Sequence, residues 1–177
     1  MRSEIVLTLT GSDRVGIVEE VTGVLLGVDG NIETSRMARL GGEFTMLVLV
    51  SLPSEEFARL DSTLAFLTDQ GYKITTTPTE DRPNSHIEWL AYSIEVHGAD
   101  HEGIIHDIAR GLSLEGISIE SMETVTSEAP VSGAPLFEMR AFVVVPPELP
   151  ETEWSAALVE AAQNANVDVT VTPSARR

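Results

Sequence analysis

The sequence contains no cysteine, and Lys73 is its one lysine. The lack of thiols excludes disulfides, thiolate nucleophiles and cysteine-ligated metals. The 28 acidic residues outnumber the 11 lysines and arginines and give a net charge of −17. Because clustered cations are needed to bind phosphates, this charge argues against direct contact with nucleic acid or an anionic membrane. It serves either solubility or contact with a basic partner protein.

Long apolar runs are also missing. The longest, residues 46–50 and 141–145, fall far short of the roughly 20 residues that a membrane span needs. The first residues lead directly into an alternating segment without the apolar core of a signal peptide, so we expect a cytoplasmic protein. Hydrophobic residues make up 42% of the 177 residues, which is enough for a core in one large domain or two small ones.

The chain carries an internal repeat. The stretch that begins at Gly11 returns at Gly98, 87 positions later, and the offset holds without a gap as far as Glu33 and Glu120. Chance predicts about one or two identities over such a window, whereas seven are present. The identical pairs are Gly11 and Gly98, Asp13 and Asp100, Gly16 and Gly103, Ile17 and Ile104, Leu25 and Leu112, Ile32 and Ile119, and Glu33 and Glu120.

Each copy has the hydrophobic pattern of a βαββαβ unit. Period-two alternation marks the strands, and helical periodicity begins after Asp13 in the first copy. A diglycine turn at residues 41–42 predicts a hairpin, and Ser54 is the expected N-cap of the second helix. The second copy repeats the order but has a longer Pro, Ser and Gly stretch over residues 126–134, which predicts a mobile hairpin.

The loop after the first strand reads Gly-x-Asp-x-x-Gly-Ile in both copies. Asp13 and Asp100 suit the N-cap position, where a carboxylate accepts hydrogen bonds from the free amides of the first turn. Gly16 and Gly103 stand where glycine costs about 1 kcal/mol relative to alanine. Either a ligand such as a carboxylate approaches the backbone there, or the glycine permits tight packing of helix on sheet.

These motifs resemble the ACT domain, a ferredoxin-like regulatory module that commonly binds amino acids. The resemblance lies in the run from Asp13 to Val18 and in Gly30-Asn31-Ile32. Residues 31–45 are similar to the glycine cleavage system transcriptional repressor family, which has two ACT domains in tandem. We therefore predict an α+β fold of two ferredoxin-like ACT domains, each a four-stranded antiparallel sheet with two helices on one face. The expected domains are residues 1–79 and 88–177, joined by a linker at 80–87.

The resemblance also implies a binding site. ACT ligands typically lie where this loop meets the second strand of a neighbouring domain. The implied ligand-binding residues are Asp13, Arg14, Val15, Gly16, Ile17, Asn31 and Ile32 in the first copy, and Asp100, His101, Gly103, Ile104, Ser118 and Ile119 in the second. Because Ser118 replaces the asparagine, we predict the ligand in the first copy and a role in pairing or partner contact for the second.

The function that the resemblance implies is a non-enzymatic regulator without a cofactor. It binds an amino acid such as glycine or serine, forms a homodimer and modulates a partner protein. A transcriptional activator of glycine cleavage genes is one such partner, and a metabolic enzyme or transporter is the alternative. A metal site is not expected, since the five-residue spacing of His101 and His106 does not place both on one helical face.

Overall fold

A computed structural model of the protein describes residues 1–79 and 86–175. The chain divides into two compact units, Met1–Pro83 and Asn84–Arg177, called here the first and second unit. Residues 80–85 of the expected linker lie outside the described residues. Each unit has the element order βαββαβ and one four-stranded antiparallel sheet, which confirms the predicted α+β fold.

The first unit has the strand order β2-β3-β1-β4, so that β2 and β4 are the edges of its sheet. The second unit repeats this arrangement as β6-β7-β5-β8. The elements of the first unit are β1 (Arg2–Ser12), α1 (Ile17–Gly27), β2 (Asn31–Leu40), β3 (Glu43–Pro53), α2 (Phe57–Asp69) and β4 (Lys73–Pro78). Those of the second are β5 (Leu90–Ala99), α3 (Ile104–Leu114), β6 (Ser118–Glu128), β7 (Pro135–Val145), α4 (Glu151–Asn164) and β8 (Val167–Pro173).

One face of each sheet carries the core. In β1 every second residue, Ile5, Leu7 and Leu9, is fully buried, because successive side chains of a strand point to opposite faces. The buried residues of α1 and α2 join the same cluster as these strand residues, which places both helices on that face. The second unit builds its own core in the same way around Trp154 of α4. Among the described residues, no helix is long and apolar enough to cross a membrane.

An irregularity in the second strand of each unit repeats with the sequence. The pairing of β2 with β3 shifts between Ile32 and Thr34, and the pairing of β6 with β7 shifts between Ile119 and Ser121. A shift of this kind leaves one residue of the strand without a partner. The repeat at 87 residues therefore extends to a local distortion of the backbone.

The first helix of each unit begins later than the loop motif predicts. The N-cap of α1 is Gly16, and that of α3 is Gly103, and no side chain hydrogen-bonds to either helix start as a cap. The prediction of Asp13 and Asp100 as N-caps is therefore wrong. The chain turns into the helix through a left-handed residue at φ 94° in α1 and 98° in α3, a conformation that glycine adopts without the strain of a side chain.

The second helix also begins beyond its expected cap. Glu56 is the N-cap of α2, and the Ser54 hydroxyl instead contacts the Ser3 hydroxyl at 2.9 Å and the Met1 carbonyl at 3.1 Å. The prediction of Ser54 as N-cap is wrong, because its hydroxyl has partners beside β1. This serine fixes the start of β1 rather than the start of the helix.

The hairpin of the second unit is shorter than the sequence predicts. Strand pairing continues through Thr126 opposite Phe137 and ends with Glu128 opposite Pro135. The connection is closed by a hydrogen bond of 2.8 Å from the Ala129 amide to the Ala134 carbonyl. The first residues of the predicted loop therefore belong to β6, and Thr126 lies on a regular strand.

Candidate functional site

The glycine at each helix start is explained by backbone conformation and not by tight packing. A Cβ at Gly16 would meet its nearest atoms, from Arg14 and Glu20, at 4.0 Å, and one at Gly103 would lie 3.9 Å from the Asp107 carboxylate. These distances are ordinary van der Waals contacts, so tight packing of helix on sheet does not require glycine here. The uncapped first turns leave backbone N–H groups directed at the space beyond the helix.

In the first unit, Arg14 crosses from the loop to both helices. Its guanidinium binds the Glu20 carboxylate in a bidentate pair, at 2.6 and 2.7 Å, and donates to the Gln70 side chain at 2.8 Å. It also lies over the Tyr72 ring at 5.6 Å from the centroid. The hydrogen bond to Glu20 raises the pKa of Arg14, and the same bond lowers the pKa of Glu20. Arg14 is therefore held by side chains of its own unit.

Asp13 is held on the opposite side of the same loop. Its carboxylate pairs with the Arg39 guanidinium of β2 at 2.8 Å, and its amide donates to the Gly42 carbonyl at 3.0 Å. Val15, between these anchored residues and the helix, has its side chain fully in solvent. The loop of the first unit is thus fixed by two ion pairs, one toward the hairpin and one toward α1.

The corresponding loop of the second unit opens onto a cavity. The cavity has a volume of about 550 Å³, within the range of sites that hold small molecules. Four of the predicted site residues line it, namely Asp100, His101, Gly103 and Ile104. The other lining residues are Ile105, His106, Thr124, Thr126 and Phe137. The lining thus combines apolar side chains with a few polar groups, which is the usual composition of a ligand site.

His101 stands where the first unit has Arg14, and it makes a different connection. Its ring nitrogens lie 3.0 Å from the Glu102 carbonyl and 2.7 Å from the Ala165 carbonyl at the end of α4. Two acceptor oxygens favour the imidazolium, which donates from both nitrogens. The contact with Glu102, followed by that with Ala165, raises the pKa of His101 above 6.5. A cation at the end of α4 also suits the helix dipole.

The His101→Gln variant is expected to lose the part of the pH dependence of stability that His101 supplies. A folded-state pKa above the unfolded value stabilises the fold fully below about pH 6.5, and this contribution disappears as the pH rises through the folded pKa. The melting temperature of the wild type should therefore exceed that of the variant most at acidic pH. Melting curves between about pH 5.5 and pH 9 test this. His97→Gln, at an exposed residue of β5, is the control, and an equal wild-type advantage at all pH values would contradict the assignment.

The strand residues of the predicted site lie away from the loops. Asn31 is paired with Ser51, which is itself paired with Glu4 near the start of β1. Asp13 follows the other end of β1, about 30 Å away at roughly 3.3 Å per residue. Asn31 donates to the Glu33 carboxylate at 2.9 Å and borders a separate cavity of about 780 Å³. Ser118 and Ile119 begin β6 at the equivalent position. Within one unit, the predicted residues thus form two separate groups.

Five residues of the cavity were not predicted from the sequence as site residues, namely Ile105, His106, Thr124, Thr126 and Phe137. Of these, Thr124 and Thr126 belong to the end of β6. The repeat offset contains the signal, since it aligns Thr126 with Arg39 and so places a short polar side chain where the first copy has a long cation. Within residues 1–79 and 86–175, no group of three or more histidines and acidic residues is arranged to hold a metal ion.

Comparison with known proteins identifies the class of domain. Residues 3–76 match the ACT domain family. A solved protein of unknown function from Galdieria sulphuraria is 33% identical, with a TM-score of 0.88 over 99% of this chain and 100% of that chain. The second unit repeats the topology of the first. The first unit therefore contains an ACT domain, and the second unit has the same ACT-like fold.

A particular group of ACT proteins resembles the chain in sequence. The glycine cleavage system transcriptional repressor of Escherichia coli (strain K12) is 42% identical over 60 residues, which cover 34% of this chain and 32% of the repressor. The match thus spans about a third of the repressor's length. A solved protein assigned as such a repressor has a TM-score of 0.73 at 22% identity, with 99% of each chain covered. This structure shares the fold of the whole chain.

Proposed function

We propose that the chain is a non-catalytic regulatory protein that binds a small amino acid and modulates a partner protein. The observation that carries this proposal is the cavity at the loop between β5 and α3. It lies at the loop for which the family resemblance implies a ligand, and the predicted residues Asp100, His101, Gly103 and Ile104 line it. The other residues that the resemblance implies, those of the first copy and Ser118 and Ile119, stay predictions.

The chemistry of the cavity suits a zwitterion. The amides of the first turn of α3 lie at the positive end of the helix dipole and favour a carboxylate. The Asp100 carboxylate, on the rim of the same cavity, provides a partner for an ammonium group. Ile104 and Phe137 supply buried apolar surface. An α-amino acid carries both charges on one carbon and satisfies both ends of this arrangement.

The environment of His101 supports the proposal of binding without turnover. A general base needs a free nitrogen within reach of the proton that it abstracts. Both ring nitrogens of His101 lie within hydrogen-bonding distance of backbone carbonyls, so the imidazole is occupied in positioning the loop against α4. We therefore assign His101 a structural role in the site.

The proposed partner is a protein with a basic surface. The net charge of −17 favours association with a cationic surface over contact with phosphates. The sequence relationship to the glycine cleavage repressor makes a transcriptional activator the first partner to test. Co-purification from the native host distinguishes this from control of a metabolic enzyme or transporter. Specific binding of DNA by the purified chain at moderate salt would contradict the protein-partner proposal.

Thermal melting with an amino-acid panel tests the ligand. Glycine and L-serine are expected to raise the melting temperature of the full chain in proportion to the logarithm of their concentration, because binding to the folded state stabilises it by mass action. Glycinamide and acetate, which each lack one charge of the zwitterion, are the matched controls and should give smaller shifts. The amino acid should be recovered unchanged. Consumption of the ligand, or equal shifts with the controls, would refute the proposal.

A further inference from the structure

The two units differ at a position of the second strand that lies beside the loop. Arg39 of β2 lies opposite Phe44, and Thr126 of β6 lies opposite Phe137. These phenylalanines face Gly11 of β1 and Gly98 of β5. Arg39 and Thr126 therefore occupy the same place in the two sheets, as the repeat offset also indicates.

The surrounding backbone is the same in both units. The Asp13 amide donates to the Gly42 carbonyl at 3.0 Å, and the Asp100 amide donates to the Pro135 carbonyl at 3.0 Å. Each aspartate thus has its main chain fixed to the start of the third strand. The side chain beside the aspartate, in contrast, differs between the units.

In the first unit that side chain is a long cation. The Arg39 guanidinium reaches the Asp13 carboxylate at 2.8 Å and so pairs with the anion that would otherwise meet an ammonium group. In the second unit the equivalent residue, Thr126, ends at a hydroxyl, and the space beside Asp100 forms part of the cavity of about 550 Å³. The aspartate thus has a cationic partner in the first unit and a threonine beside a cavity in the second.

The neighbouring position on the same face of the second strand also differs between the two units. Thr124 lines the cavity in the second unit, and its counterpart two residues before Arg39 is Met37, opposite Met46. A threonine hydroxyl both donates and accepts hydrogen bonds, whereas a methionine sulfur is only a weak acceptor. The hydroxyl-bearing residues beside the cavity are therefore found in β6 and not at the equivalent positions of β2.

From these differences we infer that the second unit alone holds the amino acid, with Thr124 and Thr126 as specificity-determining residues, while the Arg39–Asp13 pair closes the first unit. This inference rests on the proposed function and reverses the sequence-based expectation of a ligand in the first copy. Asp100 faces the ammonium, the first amides of α3 face the carboxylate, and the two hydroxyls contact the side chain of the ligand. The chain accordingly binds one amino acid and not two.

Exchanging the two side chains tests this inference. In Thr126→Arg, the new guanidinium is placed to pair with Asp100 as Arg39 does with Asp13, and we expect at least a tenfold weaker Kd for L-serine by titration calorimetry with the full chain. Arg39→Thr changes the equivalent position of the first unit and is the matched control. It leaves the second unit unaltered and should leave the Kd of that site unchanged.

A second variant covers the case in which Thr126→Arg disturbs folding. Thr124→Val keeps the shape of the side chain but removes the hydroxyl, and we expect L-serine affinity to fall more than glycine affinity, since glycine has no side chain to contact. Loss of binding in Arg39→Thr with retention in Thr126→Arg and Thr124→Val would overturn the inference, as would two sites per wild-type chain. Failure of the wild type to bind either amino acid would instead refute the proposed function itself.

Discussion

The Trp154→Ala variant is expected to lose about 3–5 kcal/mol of the free energy of unfolding of the second unit. Trp154 is 1% exposed and is the largest fully buried side chain. Its ring packs edge-on against Tyr92, with the centroids 5.0 Å apart. Alanine removes this contact and leaves a cavity that the neighbouring strands fill only in part. Urea unfolding followed by circular dichroism measures the loss.

Trp154→Phe is the control that separates volume from polarity. The Trp154 Nε1 atom is buried and has no hydrogen-bond partner among the residues that the structure describes. A buried donor without a partner costs about 1–3 kcal/mol, and phenylalanine removes that cost while it keeps an aromatic ring. The phenylalanine variant should lose less than about 1.5 kcal/mol. An equal loss in the two variants would show that the indole N–H has a partner.

The Gly98→Ala variant is expected to destabilise the second unit by about 1–3 kcal/mol through overpacking. A Cβ at this position of β5 would lie 2.7 Å from the Val167 Cγ1 atom and 3.2 Å from its Cα atom. The backbone of β8 must therefore move to admit it. Thermal or urea unfolding detects the change. The same substitution at Gly23 of α1, where a Cβ meets nothing within 4 Å, should stabilise the first unit by about 0.5–1 kcal/mol.

A double variant identifies the contact that causes the loss of stability in Gly98→Ala. Val167→Ala removes the Cγ1 atom and should recover part of the stability lost in Gly98→Ala, so that the two substitutions are not additive. Additive losses would place the strain elsewhere. The first unit has the same close approach with a different partner, since a Cβ at Gly11 would lie 2.5 Å from the Tyr72 ring. In each unit the glycine thus leaves room for a residue at the start of the fourth strand or directly before it.

The fold was predictable from the sequence because its signals are local. The alternation of Ile5, Leu7 and Leu9 and the turn at Gly41 and Gly42 depend on near neighbours in the chain. The repeat then supplied the second unit. The helix starts were not predictable in detail, since Asp13 has a suitable side chain for a cap but finds Arg39 across the hairpin, a contact between residues remote in sequence.

The loop of the site was predictable from the sequence, whereas the residues of β6 that line the cavity were not. Asp100 and Gly103 carry the loop motif, and they line the cavity. Thr124 and Thr126 carry no motif, and the Pro, Ser and Gly residues that follow them predict a loop where the chain continues β6. The preference for the first copy rested on Asn31, which lies at the opposite end of β2 from the loop within its unit. The length of the side chain at the position of Arg39 and Thr126 distinguishes the two copies better than the loop motif does.

The central claim, that one amino acid binds at the loop of the second unit, is tested most directly by nuclear magnetic resonance. Adding L-serine to the isotope-labelled full chain should shift the backbone amide signals of Gly103, Ile104 and Ile105, because the carboxylate is proposed to meet the first turn of α3. The signals of Gly16 and Ile17 in the first unit should stay in place. Shifts at Gly16 and Ile17 without shifts at Gly103 and Ile104 would contradict the account.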